Sequence, residues 1–188
     1  MARVGTDPLL SEEDQNKLNL KYTAYTQVTI TIAKSGKSRQ LNDLIYHDGY
    51  VNFGSDRRVM SSVICFKPGD NVAADRLFAD LSLVGSPYIV TPFAYGRGVG
   101  EFDGHSFLAV PHFDCTLIPY INAQSRVTID KQRLTEEFIG IVRNMVDGIL
   151  TLHGKGFCCR YLKPHHVLIF TVGSLKTGKI WNFCPAAN

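Results

Sequence analysis

Hydrophobic and polar residues alternate over residues 25–33, where β-branched side chains are frequent, and this pattern predicts a β-strand. Residues 59–66 have a similar composition and predict another strand. Two shorter apolar runs, residues 41–46 and 50–53, lie on either side of the pair Asp48-Gly49. Because Asp-Gly between apolar runs is typical of a tight turn, we expect these two runs to form a β-hairpin.

Other segments repeat their apolar residues every three or four positions, as amphipathic helices do. The clearest cases are residues 75–84 and the longer segment 134–153. The remaining expected elements are strands at 93–95 and 106–113 on either side of a glycine-rich turn (96–104), the start of a helix at 116–121, and short strands at 167–170 and 179–183.

The first 20 residues differ from the rest of the chain in being polar and acidic, so we interpret them as a leader. Ser11 followed by Glu12 and Glu13 is a plausible start for one short helix there. The same polarity argues against a secretory signal. No apolar run in the chain approaches the roughly 18 residues needed to span a bilayer, so we expect no membrane span.

The composition is that of a folded protein, since 45% of the residues are hydrophobic and 20% are charged. A formal net charge of +3 is too small to predict binding to nucleic acid or to a membrane surface. Five cysteines, mostly scattered, fit free thiols better than a disulfide framework. We therefore expect a reducing, cytoplasmic location.

Residues 152–169 form a basic loop between the long predicted helix and a short apolar strand. Their order resembles the catalytic loop of eukaryotic protein kinases, which reads L-H-x-x-x-I-x-H-R-D-L-K-P-x-N-h-L-h, with h apolar. In that pattern, Tyr161 occupies the position of the catalytic aspartate, Cys159 that of the motif histidine and His166 that of the metal-binding asparagine. The matching residues are Arg160, Leu162, Lys163, Pro164 and Leu168.

Further segments resemble kinase motifs in the same order along the chain. Residues 63–67 are similar to the strand that ends in the nucleotide-binding lysine, here Lys67. The glutamate that pairs with this lysine in kinases would fall at about Leu77, and no Glu lies in that helix, so we expect no such ion pair. Asn182, followed by Phe183, stands where a kinase has the aspartate of its D-F-G motif.

The resemblance covers roughly residues 40–184 and implies an α+β, protein kinase-like fold. It implies an antiparallel five-stranded N-lobe with one helix, followed by a mainly helical C-lobe that is truncated here. The expected organisation is a leader (1–20), an N-lobe (21–113) and a partial C-lobe (114–188).

The chemistry expected of such a site is missing from the sequence. Phosphoryl transfer requires positioned phosphates, bound magnesium and a base that orients the attacking hydroxyl. Tyr161 carries no carboxylate, and its unperturbed pKa is about 10. His166 is a poor magnesium ligand and Asn182 offers only an amide carbonyl. We therefore expect a pseudokinase without a catalytic residue, a metal or a required cofactor.

Nucleotide binding is a separate question, and two interpretations remain open. The resemblance implies an adenine slot with phosphate-attracting lysines, which would bind ATP weakly and without magnesium. In the other interpretation, these residues form a packed core between the lobes. The residues concerned are Cys65, Lys67, Val110, Phe113, Lys163 and Leu168. The alternative function is a residual ATP-binding serine/threonine kinase or an ATP-sensing switch.

A protein partner is expected because the chain ends at Asn188, before the further helices that a kinase C-lobe would supply. The long helix would then lack its usual cover, and a large exposed apolar face indicates a binding surface. The residues expected on that face are Phe138, Ile141, Val142, Met145 and Ile149. We expect this face to bind another protein rather than nucleic acid.

Overall fold

The computed structural model describes residues 15–17, 28–33, 38–41, 44–54, 57–98, 102–124, 131–159 and 162–183. The chain divides into two compact units. The first unit contains residues 1–79 and 92–112, and the second contains residues 80–91 and 113–188.

The first unit is built around one antiparallel sheet. Its elements are β1 (Gln15–Lys17), β2 (Val28–Ala33), β3 (Arg39–Leu41), β4 (Leu44–Phe53), β5 (Arg57–Phe66), most of α1 (Asn71–Val84), β6 (Ala94–Arg97) and β7 (Ser106–Pro111). The strand order is β1-β2-β4-β5-β7-β6, and β3 pairs with the free side of β4 near its start. The strands predicted at 25–33, 59–66, 93–95 and 106–113 correspond to β2, β5, β6 and β7 over the residues that the structure describes.

One face of this sheet carries the apolar core of the first unit. Alternate residues of β2 point to the same side, which explains why Val28, Ile30 and Ile32 are all buried together. We call the following set the sheet core: Val28, Ile30, Ile32, Val51, Val63, Ala94, Phe107 and Ala109, with Phe53, Cys65, Phe93 and Phe102 packed against it.

The prediction of a hairpin turn at Asp48-Gly49 is wrong. Strand β4 runs without a break through both residues, and Gly49 pairs with Ile32 on one side and with Ser61 on the other. The reversal comes later, after Phe53, where Gly54 adopts a φ of 68°. Glycine is needed at position 49 for a different reason: a Cβ there would overlap the carbonyl oxygen of Thr31.

The second unit contains a three-stranded antiparallel sheet and two helices of its own. Its further elements are β8 (Cys115–Thr116), α2 (Leu117–Gln124), α3 (Lys131–Gly154), a 3₁₀ turn (Pro164–His166), β9 (Val167–Val172) and β10 (Leu175–Ile180), with sheet order β10-β9-β8. Strand β10 begins and ends earlier than the predicted 179–183, and its first residues, Leu-Lys-Thr-Gly, lack the apolar alternation by which a strand is recognised in sequence. The end of α1, the start of α2 and the body of α3 agree with the predicted helices.

Helix α3 packs against the small sheet through one face. Ile141 is fully buried with Val167 and Ile169, and Met145 packs against the same cluster. The close approach requires Gly178, where a Cβ would lie 3.0 Å from Ile141 Cγ2. The prediction that the whole apolar side of this helix is exposed is therefore wrong for Ile141 and Met145.

Other residues of that predicted face do lie at the surface. Phe138 and Val142 are exposed, and Ile149 is half-buried. Tyr120 of α2 is buried beneath α3 and donates a hydrogen bond to Glu137 Oε1 at 2.9 Å. Burial and the neighbouring Glu137 carboxylate raise the pKa of Tyr120, so the phenol stays protonated and can donate.

The architecture is α+β, with antiparallel sheets and three helices among the described residues. None of those helices is both long enough and apolar enough to cross a bilayer. In the predicted leader, residues 15–17 form β1, which pairs with residues 31–33 of β2, so the helix expected there is not formed over these residues.

Replacing Gly49 tests the close approach of β4 to β2. We expect Gly49→Ala to lower the free energy of unfolding by about 1–3 kcal/mol, because the added methyl must push the Thr31 backbone away. Urea unfolding followed by circular dichroism measures this change. In the control Gly140→Ala, a Cβ meets nothing within 4 Å on helix α3, and stability should rise by up to about 1 kcal/mol. Equal effects of the two substitutions would contradict the account of β4.

Candidate functional site

The loop that resembles a kinase catalytic loop begins where α3 ends. The Phe157 N–H donates to the Leu152 carbonyl at 2.9 Å, and Gly156 adopts a φ of 82°, so the helix closes with a left-handed glycine. This turn directs Phe157 against Phe183, with ring centroids 5.1 Å apart. Arg160 and Tyr161, the position of the catalytic aspartate, lie outside the described residues.

The second half of the loop is a 3₁₀ turn that uses its histidine internally. The His166 N–H donates to the Lys163 carbonyl at 2.8 Å. In return, the Lys163 N–H donates to Nδ1 of the His166 ring at 3.4 Å. A backbone bond therefore occupies one ring nitrogen of His166, and the residue supplies no oxygen ligand where a kinase has its metal-binding asparagine.

Trp181 fixes this turn against the segment that contains Asn182. The Trp181 N–H donates to the His166 carbonyl at 3.0 Å, and its indole Nε1–H donates to the His165 carbonyl at 2.8 Å. The indole is almost fully buried, so both bonds are shielded from water. The structure thus brings His166 and the half-buried Asn182 onto neighbouring segments.

Three of the six residues predicted to contact a nucleotide belong to the second unit. Leu168 is fully buried in β9, and Phe113 is buried with its ring 6.3 Å from that of Phe170. Lys163 is exposed at the start of the 3₁₀ turn. Two of the three are therefore core residues of this unit.

The other three predicted residues belong to the first unit, and the sheet separates two of them. Cys65 pairs with Phe107, whereas Val110 pairs with Ser62, so Cys65 and Val110 lie on opposite faces of the sheet. Cys65 packs against the sheet core, and burial raises the pKa of its thiol to about 11. Lys67 is exposed directly after β5.

The contacts of α1 show where the residues near the predicted glutamate position lie. Leu77, at the glutamate position, is buried. Asp75 instead pairs with Arg97 of β6, Nη2 to Oδ2, at 2.5 Å. Among the described residues, no ion pair joins Lys67 to α1.

A second set of contacts holds the start of α1 to the sheet. The Tyr95 hydroxyl donates to Ser106 Oγ at 3.1 Å, and the Ser106 hydroxyl donates to the Asn71 side-chain oxygen. The ring of Phe78 stacks on that of Tyr95, with centroids 5.4 Å apart. Helix α1 is thus held by β6 and β7, without Lys67.

Sequence reasoning missed a polar cluster on the opposite face of the sheet from the sheet core. Asp48 Oδ2 accepts a hydrogen bond from Arg39 at 3.1 Å, and His112 Nδ1 lies 3.6 Å from Asp48 Oδ1. Ser62 Oγ lies 3.4 Å from the same ring nitrogen. Because Asp48 and Ser62 compete for one nitrogen, the set cannot relay a proton as a catalytic triad does. The cluster could have been found only from the pairing of Asp48 with Ser62 across β4 and β5. The sequence predicts a turn at Asp48 and therefore does not predict this pairing.

The positions that correspond to the kinase metal ligands can be compared with the described residues. The kinase metal positions carry an imidazole and an amide, at His166 and Asn182. In the part of the chain that the structure describes, no group of three or more His, Cys, Asp or Glu side chains could hold a metal ion. Lys67 of the first unit and Lys163 of the second unit are both exposed.

Comparison of the chain with models of known protein families finds no match. A search of curated proteins also finds no match. The kinase resemblance therefore depends on the motifs of this sequence alone.

The reactivity of Cys65 tests whether this residue is packed or lines an open slot. With a pKa of about 11, very little thiolate exists at pH 8, and the thiolate is the reactive form. We expect alkylation of Cys65 by iodoacetamide to be at least tenfold slower in the native protein than in guanidinium chloride, as measured by peptide mass spectrometry. Alkylation at equal rates in both states would contradict the packing of Cys65 against the sheet core.

Proposed function

We propose that this chain is a catalytically inactive, kinase-like module that acts by binding another protein. The observation that carries the proposal is the pair His166 and Asn182 on neighbouring segments of the candidate site. An imidazole and an amide replace the two ligands with which a kinase holds magnesium, a cation that prefers hard oxygen ligands. The ring of His166 already accepts a hydrogen bond from its own loop.

The kinase-like fold is part of the same proposal. An antiparallel sheet with one helix directly after the lysine-bearing strand supports it, since β5 leads through Lys67 into α1. The long helix α3 followed by the loop and the hairpin β9–β10 gives further support, because the motifs occur on elements in the expected order. We infer the individual motif roles from the resemblance.

Loss of the base would add to the loss of metal ligands. Tyr161 replaces the aspartate that accepts the substrate proton in kinases. A phenol with its ordinary pKa of about 10 is protonated at neutral pH and cannot take over that role. Each loss would lower the rate by orders of magnitude, and their combination favours an inactive protein.

A residual ATP-binding function, as a weak serine/threonine kinase or an ATP-sensing switch, is the second candidate. The observation that favours it is the exposed ammonium group of Lys67, which could attract phosphates. Against it stand the packing of Cys65 and the pairing of Asp75 with Arg97 instead of with Lys67.

The proposed mode of action is protein binding through the surface of α3. Several large apolar side chains of that helix are exposed, which favours a binding surface. A reducing, cytoplasmic location is part of the proposal. The free thiols of Cys65 and Cys158 support it.

A phosphotransfer assay tests the absence of catalysis. We expect no transfer from radiolabelled ATP to the chain itself or to generic protein substrates, with magnesium or with manganese. Protein kinases turn over at about 1–100 s⁻¹, so a limit near 10⁻³ s⁻¹ is decisive. The matched control is Lys67→Ala, which should give the same background. Transfer that Lys67→Ala abolishes would contradict the proposal.

A further inference from the structure

The dipeptide Asp-Gly occurs three times in the chain, at residues 48–49, 103–104 and 147–148. At such a pair the glycine nitrogen can attack the side-chain carboxyl carbon of the aspartate and close a five-membered succinimide ring. Glycine favours this reaction because it has no side chain to block the approach of its nitrogen. The fold places the three pairs in a strand, in a turn and in a helix, so their backbones are not equally free to react.

Asp103 and Gly104 occupy a tight turn in the connection between β6 and β7. The His105 N–H donates to the Phe102 carbonyl at 3.0 Å and closes this turn, and Gly104 adopts a φ of 80°. The Gly104 N–H donates to Asp103 Oδ1 at 3.0 Å. The attacking nitrogen is therefore held beside the carboxyl group that it must reach. Asp103 is also exposed, so water has access to the ring that would form.

The pair Asp48-Gly49 lies in the middle of β4, where the sheet fixes its backbone. Gly49 pairs with Ile32 of β2 on one side and with Ser61 of β5 on the other. The Asp48 carboxylate is itself engaged, since Oδ2 accepts a hydrogen bond from Arg39 at 3.1 Å. Ring closure here would require β4 to leave the sheet, which breaks ladder hydrogen bonds.

The pair Asp147-Gly148 lies inside α3, where helical geometry opposes the reaction. The amide of a helical residue points along the axis toward the carbonyl four positions earlier, and so away from the preceding side chain. Gly148 is also packed against β10, because a Cβ there would lie 3.0 Å from Ile180 Cδ1. Ring closure would require this part of the helix to unwind.

We propose that Asp103 is a modification site, at which aspartate isomerises to isoaspartate through a succinimide formed with Gly104. The isomerised chain is then a substrate for a carboxyl methyltransferase that recognises isoaspartyl residues. The proposal is independent of the proposed function, because it rests on one turn of the first unit.

The isomerisation needs only water and involves no oxidant or reductant. The Gly104 nitrogen forms a bond to Cγ of Asp103, and the carboxyl hydroxyl group leaves as water together with the amide proton. Water then adds to the ring. Cleavage of the bond from nitrogen to Cγ restores aspartate. Cleavage of the bond from nitrogen to the main-chain carbonyl carbon gives isoaspartate, in which the chain continues through Cβ and Cγ.

The second step is a methyl transfer. Hydrolysis to isoaspartate releases the α-carboxylate of residue 103. One oxygen of this carboxylate forms an ester bond with the methyl group of S-adenosylmethionine, and S-adenosylhomocysteine is the other product. Aspartate at the same position has its α-carboxyl group in the peptide bond, so only the isomerised chain can accept a methyl group there.

Isomerisation would also change the contacts of the turn, because isoaspartate adds one atom to the main chain. The turn lies close to Pro68, since a Cβ at Gly104 would be 3.3 Å from Pro68 Cβ. Pro68 belongs to the short segment between β5 and α1. We therefore expect the modification to loosen the turn from this segment.

Incubation of the native full-length chain at mildly acidic pH tests the site. Peptide mapping by mass spectrometry with electron-transfer fragmentation should find at least about tenfold more isoaspartate at Asp103 than at Asp48 or Asp147, because only the turn holds the reacting atoms together. Labelling with an isoaspartyl methyltransferase and radiolabelled S-adenosylmethionine should place the methyl group in the same peptide. Isoaspartate that is absent from Asp103, or equally abundant at all three positions, would overturn the proposal.

Two variants at the exposed position 103 provide the matched controls. Asp103→Glu keeps the charge and the glycine but would need a six-membered ring, so the label should be lost from this peptide. Asp103→Asn should accumulate isoaspartate faster than the wild type, because an amide releases ammonia more readily than a carboxyl group releases water. Circular dichroism establishes that both variants are folded. Label that persists in Asp103→Glu would overturn the proposal.

The unfolded chain separates the effect of the turn from that of the local sequence. In guanidinium chloride, the three Asp-Gly pairs should form isoaspartate at similar rates, since no fold distinguishes them. A preference for Asp103 that is as large in the unfolded chain as in the native one would overturn the role of the turn.

Discussion

The two hydrogen bonds that Trp181 donates are the interaction on which the candidate site depends. They connect the end of β10 to the carbonyls of His165 and His166, and the indole between them is buried. The neighbouring residue Ile180 extends the same framework, since its backbone exchanges hydrogen bonds with Tyr88 and Val90. The turn at residues 164–166 is therefore held by Trp181, through its backbone N–H and its indole, within the second unit.

This mode of support is compatible with the proposal that the loop has no catalytic role. The acceptors are backbone carbonyls, which every residue provides, so these two bonds do not depend on the side chains at positions 165 and 166. His166 even adds to the turn by accepting the Lys163 N–H. The same holds in the first unit, where Asp75–Arg97 and Asn71–Ser106 hold α1 without Lys67. Under the proposed function, these structural contacts stand at positions that are catalytic in a kinase.

Much of the secondary structure could be predicted from the sequence, and the failures have physical causes. Helix α3 and strand β5 were predictable because their apolar periodicity is long and regular. The false turn at Gly49 arose because a glycine needed for close packing looks the same in sequence as one needed for a turn. The burial of Ile141 depends on Gly178, 37 positions away, and the Asp48–His112 cluster depends on strand register, so neither could be predicted locally. In the candidate site, the order of the motifs was enough to single out His166 and Asn182. That Cys65 and Val110 lie on opposite faces of the sheet could be seen only from the strand register.

Thermal unfolding with and without nucleotide tests the central claim, that the kinase-like site is structural, most directly. A ligand at 100 times its dissociation constant stabilises a protein by about 2.7 kcal/mol, which raises Tm by several degrees. With millimolar ATP, in magnesium or in EDTA, the account predicts no change in Tm for the wild type or for Lys67→Ala. A rise of several degrees in the wild type that Lys67→Ala abolishes would contradict it and would favour an ATP-binding switch.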